Sequence, residues 1–164
     1  MTDPKLPAPF LSSVMTIEPA WIDYNGHLNV AYYGVLFDRA VDEAYELIGV
    51  GPDYLKRYGH STMVVETHMR YLRELHLDDP VQVRVQLLDH DAKRFQVFEE
   101  LIHATEGWVA ATCETMTLHV DMAAKKVAPF PDFVQEALAA MKAAHSVLPR
   151  PDSAGRRIAM PSKS

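Results

Sequence analysis

The chain has 164 residues, 48% hydrophobic and 23% charged, with a formal net charge of −6, which suits one domain with its own core and disfavours a grip on nucleic acid. Cys113 is the only cysteine, so an intramolecular disulfide is excluded and a reducing compartment is expected. The Pro-containing start lacks the apolar run of a signal peptide, and no apolar stretch reaches membrane-span length, so the expectation is a soluble cytoplasmic protein with neither nucleic acid nor membrane as partner.

In chain order, residues 1–10 read as a flexible leader punctuated by Pro7 and Pro9. Residues 11–17 form a short strand, ended by Pro19. From Val30 to Ile48 the pattern turns helical, with Tyr33, Leu36, Phe37, Ala40, Val41, Ala44, Leu47 and Ile48 recurring at three- and four-residue spacing. Asn29 is its natural cap, and Gly49, Gly51 and Pro52 mark its end. A short helix follows over residues 53–58. Residues 62–71 are rich in β-branched and large side chains and predict a strand. Val81, Val83, Val85 and Leu87 alternate with Gln82, Arg84 and Gln86, the pattern of a half-buried strand. Two more strands span residues 95–103 and 108–120, joined at a turn over 104–107. Short connections between successive strands favour antiparallel pairing. Asp132 is expected to cap a last helix reaching Ser146, and residues 147–164 read as a polar tail. The domain proper is then residues 11–146, of α+β class, with a long helix on one face of an antiparallel sheet.

The chemistry concentrates in the segment Asp23-Tyr24-Asn25-Gly26-His27-Leu28-Asn29. A carboxylate, an imidazole and two amides share a Gly-containing turn at a helix start. A carboxylate beside unsatisfied helix N–H groups can act as base or nucleophile where an oxyanion is held. Asp23 can equally do no more than cap a turn through its side chain. Asn25-Gly26 favours a turn with positive φ. His27 can polarise a carbonyl, orient Asp23 or fix the loop. Asn29 is both N-cap and possible substrate contact. Trp21, Tyr24, Tyr32, Tyr33 and Phe37 can line an acyl pocket, enclose a quaternary ammonium or simply pack. Glu66 and His68, two apart on a strand, share a face. The eight histidines show no metal-ligand spacing, and no metal is expected. No Ser-centred elbow appears.

The Asp-x-x-Gly-His-x-Asn pattern ahead of a long apolar helix, together with the order of elements, resembles the hotdog-fold acyl-CoA thioesterases of the 4-hydroxybenzoyl-CoA thioesterase type. A narrower resemblance, to thioesterases acting on betainyl-CoA in carnitine degradation, rests on further segments. These are Gly59-His60-Ser61, Glu66-Thr67-His68, Leu118-His119-Val120-Asp121, Pro129-Phe130-Pro131 and Ala154-Gly155-Arg156-Arg157-Ile158. The resemblance implies a curled antiparallel sheet around a central helix and an extra C-terminal helix. It implies thioester hydrolysis with Asp23 as nucleophile or general base. The amides of Asn29, Val30 and Ala31 become oxyanion donors, and Tyr24, Asn25, Gly26, Tyr32 and Tyr33 substrate contacts. It further implies a homodimer or homotetramer with active sites at the interface, where Glu66 orients water, serves as a second base or meets a cationic acyl group. His60 and His68 are substrate contacts on the same strand. Coenzyme A arrives as part of the substrate and no separate cofactor is needed. Arg70, Arg73, Lys93, Arg94, Arg156 and Arg157 are all available to its phosphates. The alternatives are a hotdog enoyl-CoA hydratase or dehydratase and a non-catalytic acyl-CoA binder. The hydratase pairs its Asp with a His five positions on, where this chain has Leu28.

Overall fold

The structure is a computed structural model and describes residues 6–162. Helix α1 (Val30–Glu46) begins where expected. The Asn29 backbone is extended (φ −64, ψ 141), and its side chain accepts a hydrogen bond from the Ala31 N–H at 3.0 Å. One stripe, Tyr33, Leu36, Phe37, Ala40, Val41, Ala44 and Tyr45, is buried. The helix stops at Gly49, whose φ of +77 strains any other residue. There the Val50 N–H bonds back to the Tyr45 carbonyl and the Gly49 N–H to that of Glu46, at 3.1 and 3.2 Å. Helix α2 (Pro52–Tyr58) follows.

The strands are β1 (Phe10–Leu11), β2 (Met15–Thr16), β3 (His60–Tyr71), β4 (Pro80–His90), β5 (Arg94–His103), β6 (Val109–Asp121) and β7 (Lys126–Val127). They form one antiparallel sheet in the order β1-β4-β5-β6-β3, with β2 also on β4 and β7 on β6. The alternation read in β4 is the packing itself. Val81, Val83, Val85 and Leu87 are buried against the α1 stripe, with Val97 and Leu101 of β5 and Cys113 of β6 in the same core. Helix α3 (Asp132–His145) lies against β4. The α+β expectation holds, and no helix among the described residues is long and apolar enough to cross a membrane.

Three local expectations need correction. The strand over residues 11–17 is broken into β1 and β2. Between them Ser12 accepts from the Val83 N–H through its hydroxyl, while its carbonyl takes the Gln82 side chain, so the ladder is interrupted by side-chain bonds. The leader is loose neither at Leu6 nor at Phe10, which pack against the core, and the Pro7 carbonyl accepts from His145 Nε2 at 2.9 Å; residues 1–5 of the leader lie outside the described residues. Asp132 is the first residue of α3 rather than its cap. Pro131 holds the cap position and makes no side-chain bond.

Strand β3 differs from the other long strands in its free edge. It is the outer strand on its side of the sheet, and its edge exposes Met63, Val64 and Val65. A register shift between Val64 and Glu66 interrupts its pairing with β6. Among the described residues the tail has no helix or strand, yet its Gly155 N–H donates to Glu114 Oε2 at 2.7 Å, tying it to the sheet face turned away from α1.

Candidate active site

The loop before α1 is a small closed hairpin. Ile22 bridges Leu28, the Asp23 N–H donates to the His27 carbonyl at 3.1 Å, and the Gly26 N–H donates to the Asp23 carbonyl at 3.0 Å. Gly26 sits at φ +83, which the tight reversal requires. The Leu28 N–H donates to the Leu75 carbonyl at 2.8 Å, fastening the loop to the segment after β3. Leu75 is fully buried and anchors that segment.

Asp23 is partly exposed, and its Oδ1 accepts from the Asn25 N–H at 2.8 Å. The turn-capping role is therefore real. It uses one oxygen; among the described residues nothing bonds the other. Of the helix-start amides, Asn29 N–H donates to the Trp21 carbonyl at 2.9 Å and Ala31 N–H to the Asn29 side chain. Val30 N–H has no acceptor among the described residues. The first turn of a helix leaves such donors over, with a partial positive charge behind them.

Asp23, His27, Val30 and Tyr33 line one cleft of ≈ 300 Å³, together with Tyr71, Leu72, Arg73 and Glu74. Its wall is a corner of two rings, Tyr33 and Tyr71, with centroids 5.0 Å apart and planes at 80°. Burial raises the Tyr33 hydroxyl above its ordinary pKa; a backbone hydrogen bond at Leu75 opposes this and the nearby Glu74 adds to it. His27 Nε2 stands 3.7 Å from Glu74 Oε1. The Arg73 guanidinium is held over the Trp108 ring, 3.9 Å from its centre.

The remaining sequence candidates lie elsewhere in the subunit. Tyr24 is 97% exposed and, like Asn25 and Gly26, does not line the cleft. Tyr32 stacks on Trp21 at 5.6 Å, and Arg39 also lies against that ring, so Tyr32 braces the loop from outside. Asn29 serves as cap. Glu66 and His68 do share a face, but they line a groove of ≈ 460 Å³ with tail residues Gly155, Arg156, Arg157 and Ile158. His60 stands at the start of β3, beside Asp121 and edge-on to His119.

Tyr71, Leu72 and Glu74 went unforeseen, and Arg73 was expected only as one of six cations available to coenzyme A. The long-range bond from Leu28 to Leu75 and the contact of Tyr71 with Tyr33 bring them to the site, and no local pattern announces either. Leu72 also borders a groove of ≈ 570 Å³, which carries Arg70, Arg84 and Arg150. Arg84 is paired with Glu100 at 3.3 Å, and Arg94 with Asp91 at 2.9 Å. Among the described residues no group of three or more His, Cys, Asp or Glu side chains gathers as a metal site.

The most perturbed carboxyl is not in the cleft. Glu99 of β5 lies opposite Cys113 of β6, wholly buried, and its Oε1 has no hydrogen-bond partner among the described residues. Burial pushes its pKa up to about 8, while a bond with the Cys113 side chain opposes the shift. Burial and Glu99 in turn push the Cys113 thiol up, which keeps it protonated and unreactive.

The thioesterase-like superfamily matches residues 17–138. A betainyl-CoA thioesterase of Pseudomonas aeruginosa is 36% identical over 156 residues, covering 92% of this chain and 98% of that protein. An L-carnitine dehydrogenase/betainyl-CoA thioesterase of Rhizobium meliloti is 40% identical over 142 residues, but the matched part is 28% of that longer protein. A Staphylococcus aureus protein solved in complex with CoA superposes with a TM-score of 0.86 at 25% identity, over 95% of this chain and 99% of that one. The sheet and its long helix form the hotdog fold. On its sequence and its fold alike, the chain belongs to the thioesterase-like superfamily.

Proposed function

We propose that the protein hydrolyses a small acyl-CoA, betainyl-CoA being the substrate its relatives point to, and that the reaction takes place in the Asp23 cleft. The observation that carries this reading is the meeting of two unspent groups: one carboxylate oxygen of Asp23 and the N–H of Val30. The thioester oxygen lies toward Val30 N–H, where the growing negative charge meets a preset donor and the positive end of α1. Asp23 then either removes a proton from water as it adds to the carbonyl carbon, or adds there itself to form an anhydride that water opens. On either path the C–S bond breaks and coenzyme A leaves as its thiol. His27, between Asp23 and Glu74, positions the loop carboxylate.

The carrier follows from the surface. From the cleft, the pantetheine arm passes over Leu72 into the groove of Arg70, Arg84 and Arg150, whose guanidinium groups suit the phosphates. Coenzyme A is thus part of the substrate, and no separate cofactor enters the chemistry. The apolar edge of β3 is a pairing surface, because a long uncovered edge is an open template for a second strand. A homodimer built on it brings the strand carrying His60, Glu66 and His68 beside the partner's cleft, where Glu66 assists with water.

The test is a panel of acyl-CoA thioesters, betainyl-CoA among them, followed by release of the free thiol. Turnover with a preference for betainyl-CoA is expected. Tight binding of the panel without any thiol release would contradict the reading.

A further inference from the structure

A betainyl group carries its positive charge one methylene from the reacting carbonyl. Two bonds of about 1.5 Å put the nitrogen about 2.5 Å from the carbonyl carbon. Whatever neutralises that charge must therefore stand in the cleft where Asp23 works. This condition removes most of the protein's acidic groups. Asp38 and Asp42 lie on α1, about 12 and 18 Å along its axis from Val30 at 1.5 Å per residue. Glu99 is sealed in the core. Glu66 lines a different groove of its own subunit, and in the proposed dimer it serves the water at the partner's cleft.

Within the subunit, one carboxylate besides Asp23 lines the cleft, that of Glu74. Its side chain is 65% exposed, and the nearest cationic candidate is His27 at 3.7 Å, too long for a hydrogen bond. Arg73 borders the same cleft, but its guanidinium is drawn off over Trp108. Beside Glu74 stands the perpendicular pair Tyr33 and Tyr71. Ring faces attract quaternary ammonium groups, and their methyl groups pack there without needing hydrogen bonds.

We propose that Glu74, with the Tyr33–Tyr71 corner beside it, receives the quaternary ammonium of the acyl group and so selects α-ammonio acyl thioesters over neutral ones. This deepens the thioesterase reading and rests on it. The cation neutralises a cleft that otherwise holds the Asp23 and Glu74 carboxylates together. A neutral acyl group of the same shape leaves Glu74 facing methyl groups with no charge to meet, and that cost is the source of the discrimination.

The test compares betainyl-CoA with 3,3-dimethylbutanoyl-CoA, in which carbon replaces the charged nitrogen and the shape is kept. The ratio of their kcat/KM values is expected to favour the cation in the parent protein. It should fall about ten-fold in Glu74→Gln, the scale of one partly screened charge pair, and be largely kept in Glu74→Asp. A ratio untouched by Glu74→Gln overturns the assignment, as does an equal loss on both substrates. A second readout is independent of turnover: calorimetric affinities for the two thioesters in Asp23→Asn, with and without Glu74→Gln. If the parent hydrolyses neither thioester, the thioesterase reading fails. The binding preference then decides Glu74 alone: its loss in Glu74→Gln supports the assignment, and its persistence refutes it.

Discussion

The corner around His119 and the loop around Asp23 are built from the same kinds of residue and do opposite things. His119 is fully buried, and each ring nitrogen is engaged: Tyr54 Oη lies 2.9 Å from Nε2, and the Ala128 carbonyl 2.8 Å from Nδ1. A carbonyl can only accept, so Nδ1 carries the proton and Nε2 accepts from the tyrosine. Phe130 and His60 close over the ring. Burial lowers the His119 pKa, with the Ala128 bond opposing, and the ring stays neutral. At the other site the loop is just as well tied by backbone bonds, yet Asp23 keeps one oxygen and Val30 keeps its N–H unspent. Where every polar atom is satisfied the side chains hold the fold. Where donors and acceptors are left over on a rigid frame, a substrate has something to meet.

The sharpest way to break that contrast is Val30→Pro. Proline is well accepted at the first position of a helix, and the extended Asn29 backbone suits a following proline. The Val30 side chain is largely exposed, so little packing is lost. The substitution removes the unspent N–H and little else. Turnover is expected to fall about 10²–10³-fold, the scale of one lost oxyanion donor, with thermal stability nearly unchanged. A variant that folds and turns over normally would show that the oxyanion is held elsewhere.

His119→Ala should do the reverse. It strands the Tyr54 hydroxyl and the Ala128 carbonyl and opens a cavity beside Phe130, at a cost of about 3 kcal/mol. The denaturant midpoint should drop, while kcat of the folded fraction changes little, since Tyr54, His60, Ala128 and Phe130 around His119 all lie outside the Asp23 cleft of the subunit. A large loss of kcat would join the two regions into one site.

Glu99 sharpens the comparison from a third position, since it is buried like His119 but has an unpartnered atom. Its folded pKa, about 8, stands above the ordinary 4.5. The folded protein therefore binds the extra proton. The stability linked to it is complete below about pH 4.5 and declines as pH rises through about 8. Glu99→Gln should remove that decline and leave the variant more stable than the parent at pH 9. Denaturant midpoints across pH 5–9 give the comparison; parallel curves would mean the carboxyl is not held neutral by burial.

Much of the fold was legible in the sequence, and the rest has a physical reason for being hidden. The α1 stripe, the β4 alternation and the Asp23 loop are each contiguous, so local spacing carries them. The cap at Asn29 is a local bond and was readable for the same reason. Glu66 and His68 share a face because strand side chains alternate, but which face depends on register, and the shift between Val64 and Glu66 resets it. Tyr71 and Glu74 reach the cleft through the pairing of Leu28 with Leu75, 47 residues apart in sequence. No window of sequence contains that bond.

The most direct measurement is the single-turnover and steady-state rate of Asp23→Asn on betainyl-CoA. Asparagine keeps a side-chain oxygen to accept the Asn25 N–H, so the loop is retained and only the charge is lost. The account predicts a fall in kcat of at least about 10²-fold, the scale of a positioned base, with the melting temperature unchanged. Near-parent kcat in a folded Asp23→Asn protein would contradict it.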